Sequence, residues 1–144
     1  MTRELDNLVA IRQLKVEPTS EAEVATLLQR ASTLLSDAGN AALAPVSRFN
    51  LAYDAAFALA TAALRLRGYR PDDARGHRAV VFQSLPHSIG APLELWSALS
   101  AAHDRRNALA YSAAMPPSQA EVADLLAHTR ALHRLVRRTI AQSR

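Results

Sequence analysis

Residues 45–67 read PVSRFNLAYDAAFALATAALRLR. Phe49, Ala52, Tyr53, Ala56, Leu59 or Ala60, Ala63 and Leu64 recur at the spacing of one helical face. Pro45 suits a first turn and Gly68 an exit. Alanine is the strongest helix former, and small side chains let neighbouring helices approach closely. The stretch therefore predicts a long helix packed among others. Tyr53 reads as a core tyrosine and Asp54 as a surface acid beside it.

Outward from this segment the chain repeats the pattern. Thr19-Ser20 opens a helix whose stripe is Val24, Leu27, Leu28, Ala31, Leu34, Leu35 and Ala38, and Gly39-Asn40 closes it. Ser20 with Glu23 has the spacing of a capping box. Residues 3–14 form a shorter helix that Glu17-Pro18 ends. Downstream, Gly68-Tyr69-Arg70-Pro71-Asp72-Asp73 is a loop, with Asp72 or Asp73 as the next N-cap. Residues 73–85 are a short helix stopped by Pro86, and residues 92–111 a longer one opened by Pro92. Ser118 with Glu121 is a second capping box. It starts a last helix to Gln142, with Val122, Leu125, Leu126, Thr129, Leu132, His133, Val136 and Ile140 as its core stripe. The expected fold is all-α: an antiparallel bundle of five or six helices in a single domain, 1–144. Residues 1–19 are an N-terminal extension and 20–142 the core bundle.

Composition agrees. Of 144 residues 49% are hydrophobic but only 5% aromatic, a balance that favours closely packed helices over sheets. The absence of cysteine excludes disulfides and thiolate metal sites. No long apolar run and a polar start give the expectation of a cytoplasmic, bacterial protein without a membrane span. Residues 1–64 carry five basic and seven acidic groups, net −2; residues 65–144 carry twelve and six, net +6; together they give the formal charge of +4. A basic half is permissive for phosphate-bearing partners without specifying one.

The chemically suggestive segment is Ala101-Ala102-His103-Asp104-Arg105-Arg106-Asn107-Ala108-Leu109-Ala110-Tyr111. Leu95, Leu99 and Ala102 lead along one helical stripe to Arg106 and Leu109, so a guanidinium stands where an apolar side chain is expected. A cation there needs a partner, a ligand or a subunit boundary. Glu94, Asp54 and Asp104 are the acids available to pair with it internally, and that reading stands beside the functional one. Other chemistries have little support. His128 and His133 are five apart and share no face, and His77, His87 and His103 lie in separate segments, so no metal site is expected. There is no phosphate-binding loop or dinucleotide fingerprint. The serines lack a nucleophile setting, and Pro86 and Pro92 break the best helix-turn-helix approximation.

Arg106-Asn107-Ala108-Leu109-Ala110-Tyr111 resembles the signature of the HEPN superfamily (higher eukaryotes and prokaryotes nucleotide-binding domains). That signature is an arginine, a following polar residue and, four to six residues after the arginine, usually a histidine, near the end of a late helix. Tyr53-Asp54-Ala55-Ala56-Phe57, Gly68-Tyr69-Arg70 and Arg75-Gly76-His77 are similar to one bacterial branch, and the likeness spans roughly residues 20–142. The resemblance implies a helical bundle acting as a homodimer whose two motifs face one another. Many members are metal-independent ribonucleases, often toxins of toxin–antitoxin or defence systems. Others bind RNA or nucleotide without cleaving, or partner a small nucleotidyltransferase. The site so implied is Arg106, Asn107 and Tyr111, with Arg105 and Arg106 contacting phosphate and neither metal nor cofactor involved. Tyr111 stands where histidine is expected. A phenol titrates near pH 10 and is a poor base at neutrality, so the expectation is RNA or nucleotide binding with little or no nuclease activity. His103, about a turn before Arg106, is the residue that could replace the missing imidazole.

Overall fold

The computed structural model describes residues 3–72 and 78–143. Among them the elements run α1 (Arg3–Ala10), β1 (Leu14–Val16), α2 (Glu21–Ala38), α3 (Pro45–Leu66), β2 (Tyr69–Pro71), α4 (Arg78–Gln83), α5 (Leu85–Ser88), α6 (Leu93–Tyr111) and α7 (Gln119–Gln142). The protein is an all-α bundle with one two-stranded antiparallel ribbon, β1 against β2, Lys15 opposite Arg70.

Helix α3 is the axis. From Ala52 to Arg65 it is buried on nearly every side, with Asp54 as its exposed exception. A helix apolar all round belongs in the middle of a domain. Helices α2 and α7 pack along it, and α4, α5 and α6 close its remaining side. Its alanines leave no bulk to hold those neighbours away. Gly68 lets the chain leave α3 at φ +85, a conformation that side-chain-bearing residues rarely adopt. At the other end Arg48 ties three helices together: Nε donates to Ala38 O at 2.8 Å and NH1 to Gln119 Oε1 at 3.1 Å.

The structure departs from the sequence reading in three places. The first helix stops at Ala10, not at residue 14. Arg12 turns into the left-handed region at φ 61, and the Gln13 and Arg12 amides close back on Leu8 O and Val9 O. Those two bonds cap the helix and release Leu14–Val16 to pair with β2. The segment expected to be only a loop at 68–73 thus supplies a strand. From the N-terminal extension Leu5 and Leu14 are buried in the core. Third, the helix expected over 73–85 is represented by two short ones, α4 and α5. Pro86 does not stop a helix; it sits in the first turn of α5, where its missing N–H costs nothing. Asp73 and the Arg75-Gly76-His77 motif lie outside the described residues. The helices at 20–38, 45–67, 92–111 and 118–142 form as read, within a residue or two. No helix among the described residues is long and apolar enough to cross a membrane.

Candidate functional site

The two adjacent arginines of α6 have different fates. Arg105 is tied to the start of α7: Nε and NH2 donate to the two Glu121 carboxylate oxygens at 2.9 and 3.2 Å, and NH2 donates to Met115 O at 2.7 Å. Glu121 also completes the capping box with Ser118, whose hydroxyl accepts from the Glu121 amide. One carboxylate therefore caps α7 and staples it to α6. The hydrogen bond from Arg105, with the Ser118 amide behind it, holds the Glu121 carboxyl below its usual 4.5. Arg105 is occupied inside the protomer rather than offered to a phosphate.

Arg106 is half-buried and lies over the Tyr53 ring, its guanidinium carbon 5.3 Å from the ring centroid. No carboxylate among the described residues pairs with it; Glu94, Asp54 and Asp104, the acids that the sequence offers it, form no ion pair with it. The cation rests on the negative face of an aromatic ring, which attracts it without neutralising it.

Tyr53 is the hub beneath. It is fully buried, and its hydroxyl reaches His103 Nδ1 at 2.8 Å. His103 Nε2 lies 3.4 Å from Asn107 Nδ2, one turn further along α6. The imidazole thus bridges the Tyr53 hydroxyl and the Asn107 side chain. Phe82 of α4 fills the other side, its ring centroid 5.8 Å from Tyr53 and 6.1 Å from His103. Arg78, the first residue of α4, lies over Phe57 at 4.5 Å. The result is an aromatic and imidazole floor from α3, α4 and α6 with two guanidinium groups laid on it.

Burial sets the protonation states. Desolvation pushes the Tyr53 phenol above its ordinary 10.0, although Arg78 and Arg106 both pull the other way. Desolvation likewise lowers His103 from 6.5, opposed by Asp104 and reinforced by Arg78 and Arg106. At neutral pH the floor is an uncharged tyrosine and an uncharged histidine, and the positive charge belongs to the arginines alone. Such a surface suits a multiply charged oxyanion, which guanidinium forks grip through paired hydrogen bonds.

Of the residues expected from sequence, Arg106, Asn107 and His103 come together. Tyr111 does not join them: it is 81% exposed at the end of α6. Five residues of helix turn it about 140° away from Arg106. The sequence pattern makes Tyr53 ordinary core, and Arg78 and Phe82 parts of a short helix. A signal for Tyr53 is nonetheless present, since a buried phenol needs a partner for its hydroxyl. Nothing in the sequence aligns α4 with it.

A second cluster has no counterpart among the sequence expectations. Arg65 is 1% exposed at the far end of α3. Its Nε donates to Glu23 at 2.7 Å, NH1 to Glu17 O and Tyr69 O, and NH2 to Pro18 O. Arg70 bridges Glu17 and Glu23 from outside. Glu23 thus leaves the expected capping box half made: Ser20 accepts from the Glu23 amide, but the Glu23 carboxylate is spent on two arginines. Among the described residues no three His, Asp or Glu side chains gather as a metal would require. Compared with family models and with curated proteins, the chain matches neither.

Proposed function

We propose that the protein is a HEPN-like RNA- or nucleotide-binding domain in which Arg106, with Arg78 beside it, holds a phosphate over the Tyr53–His103 floor. The observation that carries this reading is a half-buried guanidinium with no carboxylate partner among the described residues, next to groups that burial keeps neutral. A cation held in that state keeps its hydrogen-bonding capacity for a ligand. Asn107 and Tyr53 steady His103 and so fix the floor on which the ligand lies.

The same geometry favours binding over cleavage. Tyr111 is turned to solvent, and both nitrogens of His103 face protein groups. The reading includes a homodimer. From Ala102 to Tyr111 no residue of α6 is fully buried, which leaves that face of the helix for a second copy. The test is a titration of the purified protein with ATP and with a short RNA at low salt. Arg106→Ala should lower affinity at least tenfold, the scale of one charge-assisted hydrogen bond. Unchanged affinity would sink the reading, and sedimentation velocity separately decides the dimer.

One observation keeps the endoribonuclease reading open as a second. His103 is neutral at pH 7 and its Nε2 contact is long, so Nε2 could accept the proton of a ribose 2′-hydroxyl as that oxygen attacks phosphorus. Growth arrest and RNA degradation on expression of the wild type, both abolished by His103→Ala, would support it; intact RNA with either protein would remove it.

A further inference from the structure

The last helix carries a feature that the Arg106 site does not use. Arg130, Arg134, Arg137 and Arg138 fall within about 100° of helix circumference and about 12 Å of axis. All four are exposed, and none makes an ion pair or side-chain hydrogen bond among the described residues. Leu125 to Ser143 contains no acid at all.

Apart from Arg130, which lies beside the C-terminus of α2 at Gly39, the fold has little use for this stripe. Cations help a helix when they sit in its last turn, but α7 runs on to Gln142 and its last turn has no basic residue. Arg130 with Arg134, and Arg134 with Arg138, are like charges four apart, a spacing that weakens a helix. The stripe also borders a groove. Helix α2 runs alongside, and Ala25, Leu28, Gln29 and Ser32 face His133 and Arg137 across a cavity of about 320 Å³. Gln29 and Ser32 supply neutral hydrogen-bonding groups opposite Arg137, and the other three arginines continue the charge along α7 outside the cavity.

We infer that this α2–α7 groove is a second binding surface, for the phosphodiester backbone of a nucleic-acid strand. A strand repeats its charge about every 3.4 Å of axis, so 12 Å of helix spans three or four phosphates, which matches four guanidinium groups. An anionic membrane fits less well. A surface-bound helix inserts apolar side chains, whereas α7 turns Val122, Leu125, Leu126, Leu132 and Val136 into the core, and none of the exposed large hydrophobic residues lies on it. The surface is argued independently of Arg106 and differs from that site in reading a run of phosphates rather than one.

The experiment is fluorescence anisotropy of labelled single-stranded RNA, and of DNA of the same sequence, across a salt series. The variant is R130Q/R134Q/R137Q/R138Q; all four side chains are exposed, and circular dichroism checks the fold. Removing the four charges should flatten the slope of log K against log salt by about 3 and weaken binding at low salt at least thirtyfold. R130K/R134K/R137K/R138K, which keeps the charge, should retain the slope. Binding of ATP should stay unchanged in both, while Arg106→Ala should weaken ATP binding at least tenfold and take no more than about 1 from the salt slope of the strands, so the two sites fail separately. Wild-type slope and affinity in the glutamine variant would overturn the proposal. So would a wild type that binds phosphatidylserine vesicles but neither strand.

Discussion

The two ends of α3 carry one arginine problem each and solve it in opposite ways. At the C-terminal end Arg65 is sealed from water. It meets the Glu23 carboxylate, three backbone carbonyls and a second acid, Glu17, with Arg70 closing the cluster from outside. Toward the N-terminal end Arg106 is half in water and rests on a ring. A buried cation has to be saturated, because desolvating it without partners costs several kcal/mol or more, and once saturated it has nothing left to offer a ligand. A cation at the boundary is spared most of that cost and keeps its capacity. Charge alone does not make a candidate site; charge left unspent does.

The largest expected difference between the two ends lies in stability. Arg65→Met would leave Glu17 and Glu23 to Arg70 and take the donor from three carbonyls, a destabilisation of about 3–5 kcal/mol. Arg106→Ala should cost no more than about 1 kcal/mol, the scale of one partly exposed cation–π interaction. Urea unfolding of both variants measures this. Equal destabilisation would break the comparison, since Arg106 would then be structural too.

A smaller effect tests the floor. Tyr53→Phe keeps the ring under Arg106 but removes the hydroxyl from His103, leaving a buried ring nitrogen short of a partner. The expected cost is about 1 kcal/mol, with Arg106-dependent ATP binding retained, because the ring holds the guanidinium and the hydroxyl does not. Loss of binding would move the role from the ring to the hydroxyl.

The smallest effect is in pH dependence, where the two ends separate by window. Hydrogen bonds from Arg70 and from Arg65 hold Glu17 and Glu23 below 4.5. Their contribution is complete above 4.5 and is lost as pH falls through the lowered folded values. His103 is lowered from 6.5 by burial, so the unfolded chain takes up its proton first. Its contribution is complete above 6.5 and declines as pH falls below that. His133, lowered by burial and by Arg137 and Arg134, shares this window. Unfolding free energy should therefore fall in two stages, the first setting in below 6.5 and the second below 4.5. His103→Gln should flatten the first stage in part and leave the second; a change confined to the region below 4.5 would contradict the assignment.

The long helices were legible because their signals are local. Ser20, Ser118, Pro45 and Gly68 mark ends within a turn of where they act, and the stripes of α2, α3 and α7 are readable in any window of a dozen residues. The ribbon was not. Leu14–Val16 gains its partner from residues 69–71, more than fifty positions away, and a three-residue strand has no periodicity of its own. The site was half legible. Arg106 stood out as a charge on an apolar stripe, and His103 as an imidazole about a turn before it. Tyr53 and Arg78 did not, because their importance comes from α3 and α4 meeting α6.

By itself the sequence determined that this is an alanine-rich helical bundle, and that α6 carries a guanidinium, Arg106, where its stripe calls for an apolar side chain. Local backbone preference and the 3.6-residue period suffice for that. Only the tertiary structure decided which of two neighbouring arginines is consumed. Glu121 starts a different helix, and its approach takes Arg105, while Tyr53 comes up beneath Arg106 and leaves its charge standing. Adjacent residues on a helix point about 100° apart, so each meets surroundings that only the packing of other helices can supply.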